Sequence, residues 1–383
     1  MHICVVTEES PSKEYSIYPF IEQLCQALSR MDIKISIISP QSLTKSIFRG
    51  IPYKKTKTSI SDLNCNIIEI YRPLTISFGS IIFLNRFNLI LFSNAIYRGF
   101  RRIHNRPDVI YAHFWHNGLI AYKALNKYRL PLFIASGESD IDERFKNKNR
   151  LIQNFISYVK GVICVSTKNR NESVSLGLAD EEKCIVLPNG INSNLFYKKD
   201  KIKCRELFGF NHDDFIVAFV GSFEERKGAN RVAMAISKLN DKSIKSIFIG
   251  KQLDGTIPYL PVCEGILYCG SLSHNKIPDY LNCADVFVLP TLSEGCSNSI
   301  IEALGCGLPV VSSNLPFNDD ILNKNNSVLI DPTNIEEIAE AINELKVNTD
   351  KRNRLSTGAL DTAKNLCIEI RAKNILEFIQ SKI

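Results

Sequence analysis

Short, nearly unbroken apolar runs recur along the chain, each followed by a stretch whose apolar residues return every three or four positions. HICVVT (2–7) reads as a buried strand, YPFIEQLCQALSRM (18–31) as an amphipathic helix and IKISIIS (33–39) as a second strand. DVIYAHF (108–114), LFIASG (132–137), GVICVS (161–166) and KCIVLPNG (183–190) continue the series, with helical patterns between them. Strands that are apolar on both faces and alternate with helices predict a parallel sheet covered on both sides. The pattern restarts near residue 201. FIVAFVGS (215–222), SIFIG (246–250), VFVLPT (286–291) and PVVSSN (309–314) alternate with RVAMAISKL, KIPDYLNCA and the helix that follows Asn298.

The polar, lysine-rich stretch 192–213 marks the junction. The expected architecture is α/β, with two Rossmann-like parallel-sheet domains over 1–195 and 196–366. Ligands of such sheets bind outside the carboxyl ends of the strands, so two halves facing each other would form a cleft there. At 383 residues the chain accommodates two domains comfortably. Neither GxGxxG after the first strand nor GxxxxGK[ST] occurs, which argues against a nicotinamide dinucleotide and a Walker nucleotide site.

Composition narrows the class. Hydrophobic residues make up 45% and charged residues 23%, as in a soluble globular protein. MHICVVTEES lacks a basic region and a long apolar core, so no secretory leader is expected, and no apolar run approaches the ~20 residues that span a bilayer. The twelve cysteines form no CxxC pair and read as reduced thiols of a cytoplasmic protein. The net charge is +7, and Arg72, Arg86, Arg98, Arg101, Arg102 and Arg106 fall in a segment (72–106) with no acidic residue. Interleaved apolar runs there suit peripheral contact with an anionic membrane; a core helix followed by a solvated basic one is the other reading. No nucleic-acid motif accompanies the arginines.

The candidate chemistry lies in EGCSNSIIEALGCGLPVV (294–311), directly after the strand VFVLPT. Ser297, Asn298 and Ser299 suit a helix cap, and the helix start offers unpaired N–H groups and a positive dipole end to an anion. Gly295 and Cys296 complete the turn. Glu294 and Glu302 lie before and inside the helix, where each can accept hydrogen bonds from hydroxyls. A phosphate flanked by hydroxyls describes a sugar nucleotide. Upstream, FVGSFEERKG (219–228) is a second strand-to-loop junction; it carries Gly221, Ser222 and Arg226, and Lys227 could reach a diphosphate. In YAHFWHNG (111–118), His113 and His116 lie at the carboxyl end of a strand, and His113 could orient an acceptor or take its proton.

The order PNGINSNLF (188–196), VGSFEERKG, ADVFVLPTLSEGCSNSIIEALGCGLPVV (284–311) is similar to the retaining GT-B glycosyltransferases of family 4. The resemblance is specific over about 180–315 and continuous in layout over the N-terminal half, and it implies a GT-B fold whose terminal helix, over 367–383, returns to the N-terminal domain. It implies a metal-independent hexosyltransferase without a cofactor, moving a sugar from a UDP- or GDP-sugar to a glycan or lipid-linked acceptor. It also implies a place at the inner face of the plasma membrane, in surface polysaccharide, lipopolysaccharide or lipid-linked glycan assembly. Glu294 looks like the family glutamate on the transferred sugar, Glu302 like the one on the ribose, and Lys227 like the pyrophosphate lysine. Gly295, Cys296, Ser297 and Asn298 would meet sugar and phosphate. YCGSLSHNKIP (268–278) corresponds to the region that packs the nucleobase.

Three departures stand out. TEESPSKEYS (7–16) replaces a Gly-Gly loop on the acceptor side, Ser222 replaces an arginine for which Arg226 could substitute, and ASGESD (135–140) puts Ser136 in place of a histidine, with Glu138 nearby. The lost cation and histidine leave a non-catalytic GT-B nucleotide- or partner-binding protein as the alternative. Asp140-Ile141-Asp142 spells DxD away from the donor motifs and reads as coincidence.

Overall fold

The computed structural model of the chain describes residues 1–8, 19–49, 52–62, 64–78, 85–146, 148–252 and 259–383. The chain divides into two compact units, Met1–Leu187 with Arg371–Ile383, and Pro188–Ile370. The division precedes the one expected at 195/196 because the PNGINSNLF segment packs with the second unit. Ile191 N donates to Leu366 O at 2.7 Å, and Asn189 Nδ2 donates to Cys296 O at 3.2 Å.

The first unit contains β1 (His2–Val6), α1 (Pro19–Ser29), β2 (Lys34–Ile38), β3 (Gln41–Ser42), α2 (Leu43–Arg49), β4 (Lys57–Ser61), β5 (Ile67–Tyr71) and β6 (Leu74–Thr75). It continues with α3 (Asn85–Phe100), β7 (Val109–His113), α4 (Trp115–Leu125), β8 (Leu132–Ser136), α5 (Arg150–Tyr158), β9 (Val159–Cys164), α6 (Thr167–Ser175) and β10 (Cys184–Val186). Its main sheet runs β10-β9-β8-β7-β1-β2-β5-β4 among the described residues. All pairs are parallel except β4–β5, an antiparallel edge the sequence did not announce. β4 is KTSIS, without a buried residue, so it lacks the apolar run that marks the inner strands. By contrast β1, β7 and β8 are buried at every position, which is why they read so clearly.

The second unit contains α7 (Lys201–Phe208), β11 (Phe215–Val220), α8 (Ala229–Leu239), β12 (Ile244–Ile249), β13 (Ile266–Gly270), α9 (Ile277–Leu281) and β14 (Val286–Leu289). α10 (Asn298–Gly305), β15 (Val310–Ser313), β16 (Ser327–Ile330), α11 (Ile335–Val347) and α12 (Thr349–Asn365) follow. Helix α13 (Ile368–Ser381) starts in this unit and ends in the first, where Phe378 meets Phe133 at a ring distance of 6.2 Å. The sheet order is β13-β12-β11-β14-β15-β16, all parallel. Counted from its own first strand this is 3-2-1-4-5-6, which reverses direction between β11 and β14. Ligands of such sheets bind at that reversal, beyond the carboxyl ends of the two strands.

The acid-free basic segment is not uniformly a surface. Arg72 is only 3% exposed, and its Nη1 donates to Lys55 O at 3.2 Å and Thr58 Oγ1 at 2.6 Å. Arg98 and Arg106 donate to Leu74 O and Tyr128 O. A guanidinium has five N–H donors, and here they serve backbone carbonyls and the Thr58 hydroxyl. Apart from Arg72 these arginines (Arg86, Arg98, Arg101, Arg102 and Arg106) are exposed, as are Ile76, Phe78, Phe87 and Ile90. Residues 79–84 and most of TEESPSKEYS (7–16) lie outside the described residues. No helix among the described residues is long and apolar enough to cross a membrane.

Candidate active site

Parallel pairing of β11 and β14 sends the loops 221–228 and 290–297 off the same sheet edge. Leu292 N donates to Arg226 O at 2.9 Å, and Arg226 Nη1 donates to Ser293 O at 2.6 Å, stapling the two loops together. Gly228 has φ +80, and a Cβ there would lie 2.9 Å from Pro290 O, so only glycine lets the loops approach this closely.

The staple brings four of the expected residues into one network. Lys227 Nζ is ion-paired with Glu294 Oε1, Thr291 Oγ1 donates to the same oxygen at 3.0 Å, and Arg226 Nη1 lies 3.4 Å from it. Glu294 is 7% exposed. Its Oε1 is therefore engaged by two cations and the Thr291 hydroxyl, partners that the sequence did not show. Arg226 Nη2 also donates to Glu224 Oε1 at 2.8 Å, and Ser222 Oγ donates to that oxygen at 2.7 Å. Two carboxylates thus balance two cations at the loop edge.

Gly295, Cys296 and Ser297 are buried in the turn that leads into α10. Ser297 occupies the N-cap position, but its side chain makes no capping bond; its Oγ lies 3.2 Å from Ser299 Oγ. The leading N–H groups of a helix have no partner inside it. This end therefore keeps leading backbone donors and a positive dipole end. Asn189, missed in the sequence, holds the turn through Cys296 O. Glu302, in the second turn of α10, does not join the Glu294 network. Its Oε1 lies 2.7 Å from Nε2 of His274.

In the first unit, His113 ends β7 and is 3% exposed, with its ring 5.0 Å from that of Tyr111. Burial, aided by the positive charge of Arg371, pushes its pKa down to about 3, so the ring is neutral at physiological pH. Its Nε2 is buried without a hydrogen-bond partner among the described residues. Nearby, the helix start at α4 already holds a carboxylate. Glu138 Oε1 accepts from Trp115 N at 2.7 Å, and Oε2 accepts from Gly137 N at 2.9 Å and Ser136 Oγ at 3.3 Å. Burial pushes the Glu138 carboxyl up, and those donors pull it back. Glu138 thus occupies the anion position at the start of α4. His116 Nε2 lies 3.7 Å from Glu8, Asp142 pairs with Arg144, and Asp140 lies 3.8 Å from Lys168.

Glu224, Thr291 and His274 escaped the sequence reading. Glu224 had a signal, an acidic residue two positions from both Ser222 and Arg226. His274 had only its place in the segment 268–278.

Two family descriptions match the chain, Glycosyltransferase Family 4 over residues 20–195 and Glycosyl transferases group 1 over residues 200–361. The Bacillus subtilis (strain 168) protein named "Putative teichuronic acid biosynthesis glycosyltransferase TuaC" is 26% identical over 345 residues, 85% of this chain and 86% of that one. An Escherichia coli UDP-Gal:alpha-D-GlcNAc-diphosphoundecaprenol alpha-1,3-galactosyltransferase is 24% identical over 297 residues, 69% of this chain and 76% of its own. Among solved structures, Anabaena HepE in complex with UDP and glucose matches over 100% of both chains with a TM-score of 0.73 at 18% identity.

Proposed function

The chain belongs to the family 4 glycosyltransferases and has the GT-B fold of two Rossmann-like domains, and on that premise we propose that it moves a sugar from a nucleotide-sugar donor to a hydroxyl acceptor with anomeric retention. The observation that carries the proposal is the uncapped start of α10 beside Lys227 at the reversal point of the second sheet. In this reading the second unit takes the donor and the first the acceptor. Lys227 and the backbone from Gly295 to Asn298 hold the diphosphate, with Gly221 and Ser222 beside it. Arg226 supplies the second cation in place of the arginine that Ser222 replaces. Glu294 exchanges Lys227 for hydroxyls of the transferred sugar, and Glu302 takes the ribose.

The acceptor oxygen attacks the anomeric carbon on the face from which the donor leaves. The bond from that carbon to the diphosphate oxygen breaks, and the hydroxyl proton passes to a phosphate oxygen of the departing nucleoside diphosphate. Charge grows on that phosphate, where a fixed ammonium and backbone N–H groups stabilise it most. The balance needs neither a protein base nor a divalent ion. A neutral His113 suits this scheme as a group that orients the acceptor.

A UDP-sugar donor, with a GDP-sugar as the other choice, draws support from the printed names of the E. coli relative and of Anabaena HepE. A lipid-linked acceptor in surface polysaccharide assembly draws on the names of the two relatives. The exposed Phe78, Phe87 and Ile90, with Arg86, Arg101 and Arg102, favour peripheral attachment to the cytoplasmic face of an anionic membrane. The test is release of nucleoside diphosphate from a panel of UDP- and GDP-sugars, with and without a chelator. Turnover of one donor that survives chelation supports the proposal. Tight binding of a nucleotide with no turnover of any donor would instead favour a non-catalytic binding protein.

A further inference from the structure

We infer that His274 is a positioning residue that presets the carboxylate of Glu302 for the donor ribose; the inference rests on the donor-site reading above. His274 opens a short 3-10 turn, His274–Lys276, after β13, and Glu302 lies on α10. Nε2 of His274 lies 2.7 Å from Oε1 of Glu302, within a sheltered pair whose side chains are 27% and 13% exposed. A carboxylate only accepts, so the imidazole carries its proton on Nε2 and donates it.

The pair is fixed from behind. The His274 ring lies 5.1 Å from that of Phe196, which is 1% exposed. The carbonyl of Phe196 lies 3.0 Å from where a Cβ on Gly305 would stand, so the Phe196 segment packs against the last turn of the helix that carries Glu302. The segment, the imidazole and the helix therefore form one closed set. A glutamate free to rotate loses considerable rotamer freedom when it grips a ligand. Held by His274 at Oε1, Glu302 has lost that freedom before the ligand arrives. Its Oε2 accepts no hydrogen bond among the described residues and can receive a ribose hydroxyl. His274 also supplies what the segment 268–278 lacked in the sequence reading, a side chain with a definable task at the nucleoside end of the donor.

Calorimetric titration of the full chain with UDP, or GDP if that binds more tightly, and with the matching 2′,3′-dideoxy nucleotide tests the assignment. The variants are His274→Ala, His274→Gln and Glu302→Gln, each checked for an unchanged unfolding midpoint. His274→Ala should weaken the ribonucleotide about tenfold and the dideoxy nucleotide less than about twofold, as expected for one lost charge-assisted contact. His274→Gln, which restores an N–H donor, should recover most of the loss. In turnover, His274→Ala should raise the donor KM and leave kcat at saturating donor unchanged. Equal weakening of both nucleotides by His274→Ala, or no weakening while Glu302→Gln abolishes the preference for ribose, overturns the role of His274 alone. An unchanged ribose preference in Glu302→Gln, or no binding of either nucleotide by the wild type, overturns the donor-site reading and this inference with it.

Discussion

Lys227 and Glu294 form an ion pair across 67 residues of sequence. They meet because β11 and β14 are parallel neighbours whose following loops share one edge. The pair is sheltered, with side-chain exposures of 16% and 10%, so neither charge is screened as a surface pair would be. For a cation proposed to hold a diphosphate, this arrangement has a consequence. The ligand must take Lys227 from Glu294, and Glu294, once released, is left beside the sugar with its acceptor capacity free.

Replacing Lys227 by Ala removes the ammonium that faces the departing diphosphate. We predict a fall in kcat on the order of 100-fold, the usual size for loss of one preorganised donor to developing negative charge. Turnover of donor by the purified variant checks this, with an unfolding curve to show that the loop edge persists. Unchanged kcat would remove Lys227 from the reaction.

Glu294→Gln separates the two tasks of that carboxylate. The substitution keeps the shape and removes the charge that neutralises Lys227 and Arg226. Affinity for the bare nucleoside diphosphate should rise severalfold, roughly 3- to 10-fold, because the cations no longer have to be released from a carboxylate. Sugar transfer should nevertheless fall by about 100-fold, since the acceptor for the sugar hydroxyls is weakened. Calorimetry with UDP or GDP and turnover with the corresponding donor give the two readings.

Much of this site was legible in the sequence, for a physical reason. Strands such as FIVAFV are buried at every position, so their apolar runs mark the sheet and also where the loops leave it. That sufficed to put Lys227 and Glu294 at strand ends. It could not reveal that they touch, because strand order is not written in either segment. KTSIS stayed unread as a strand because an edge with no buried residue has no apolar run. The His274–Glu302 contact joins residues 28 apart and depends on Phe196 from a third segment, so no local pattern encodes it. Arg72 misled in the opposite sense, since a charge count does not show which guanidinium is itself buried.

His113 should make the first unit sensitive to acid. Its pKa falls from 6.5 to about 3 on folding, so between these values the unfolded chain binds more protons than the folded one. The stability contributed by the neutral ring is complete above pH 6.5 and is lost as the pH drops. At about 1.4 kcal/mol per pH unit, the cost between pH 6.5 and pH 5 is about 2 kcal/mol. Urea unfolding at both pH values, compared with a His113→Gln variant, should show a shallower pH dependence in the variant. Equal slopes would mean that the ring is not held neutral.

Membrane contact is testable on vesicles. The protein should sediment with phosphatidylglycerol vesicles but not with phosphatidylcholine, and should be released by about 0.5 M salt, where charges are screened over a few ångströms. The double substitution Arg101→Glu, Arg102→Glu should abolish sedimentation and leave turnover of a soluble acceptor intact. Sedimentation that ignores lipid charge would contradict the assignment.

The most direct measurement is a crystal structure of the protein with UDP or GDP bound. The account predicts phosphate oxygens accepting from the backbone N–H groups at the start of α10 and from Lys227 Nζ, with Lys227 withdrawn from Glu294 and the ribose on Glu302. A nucleotide bound elsewhere, with the Lys227–Glu294 pair undisturbed, would contradict it.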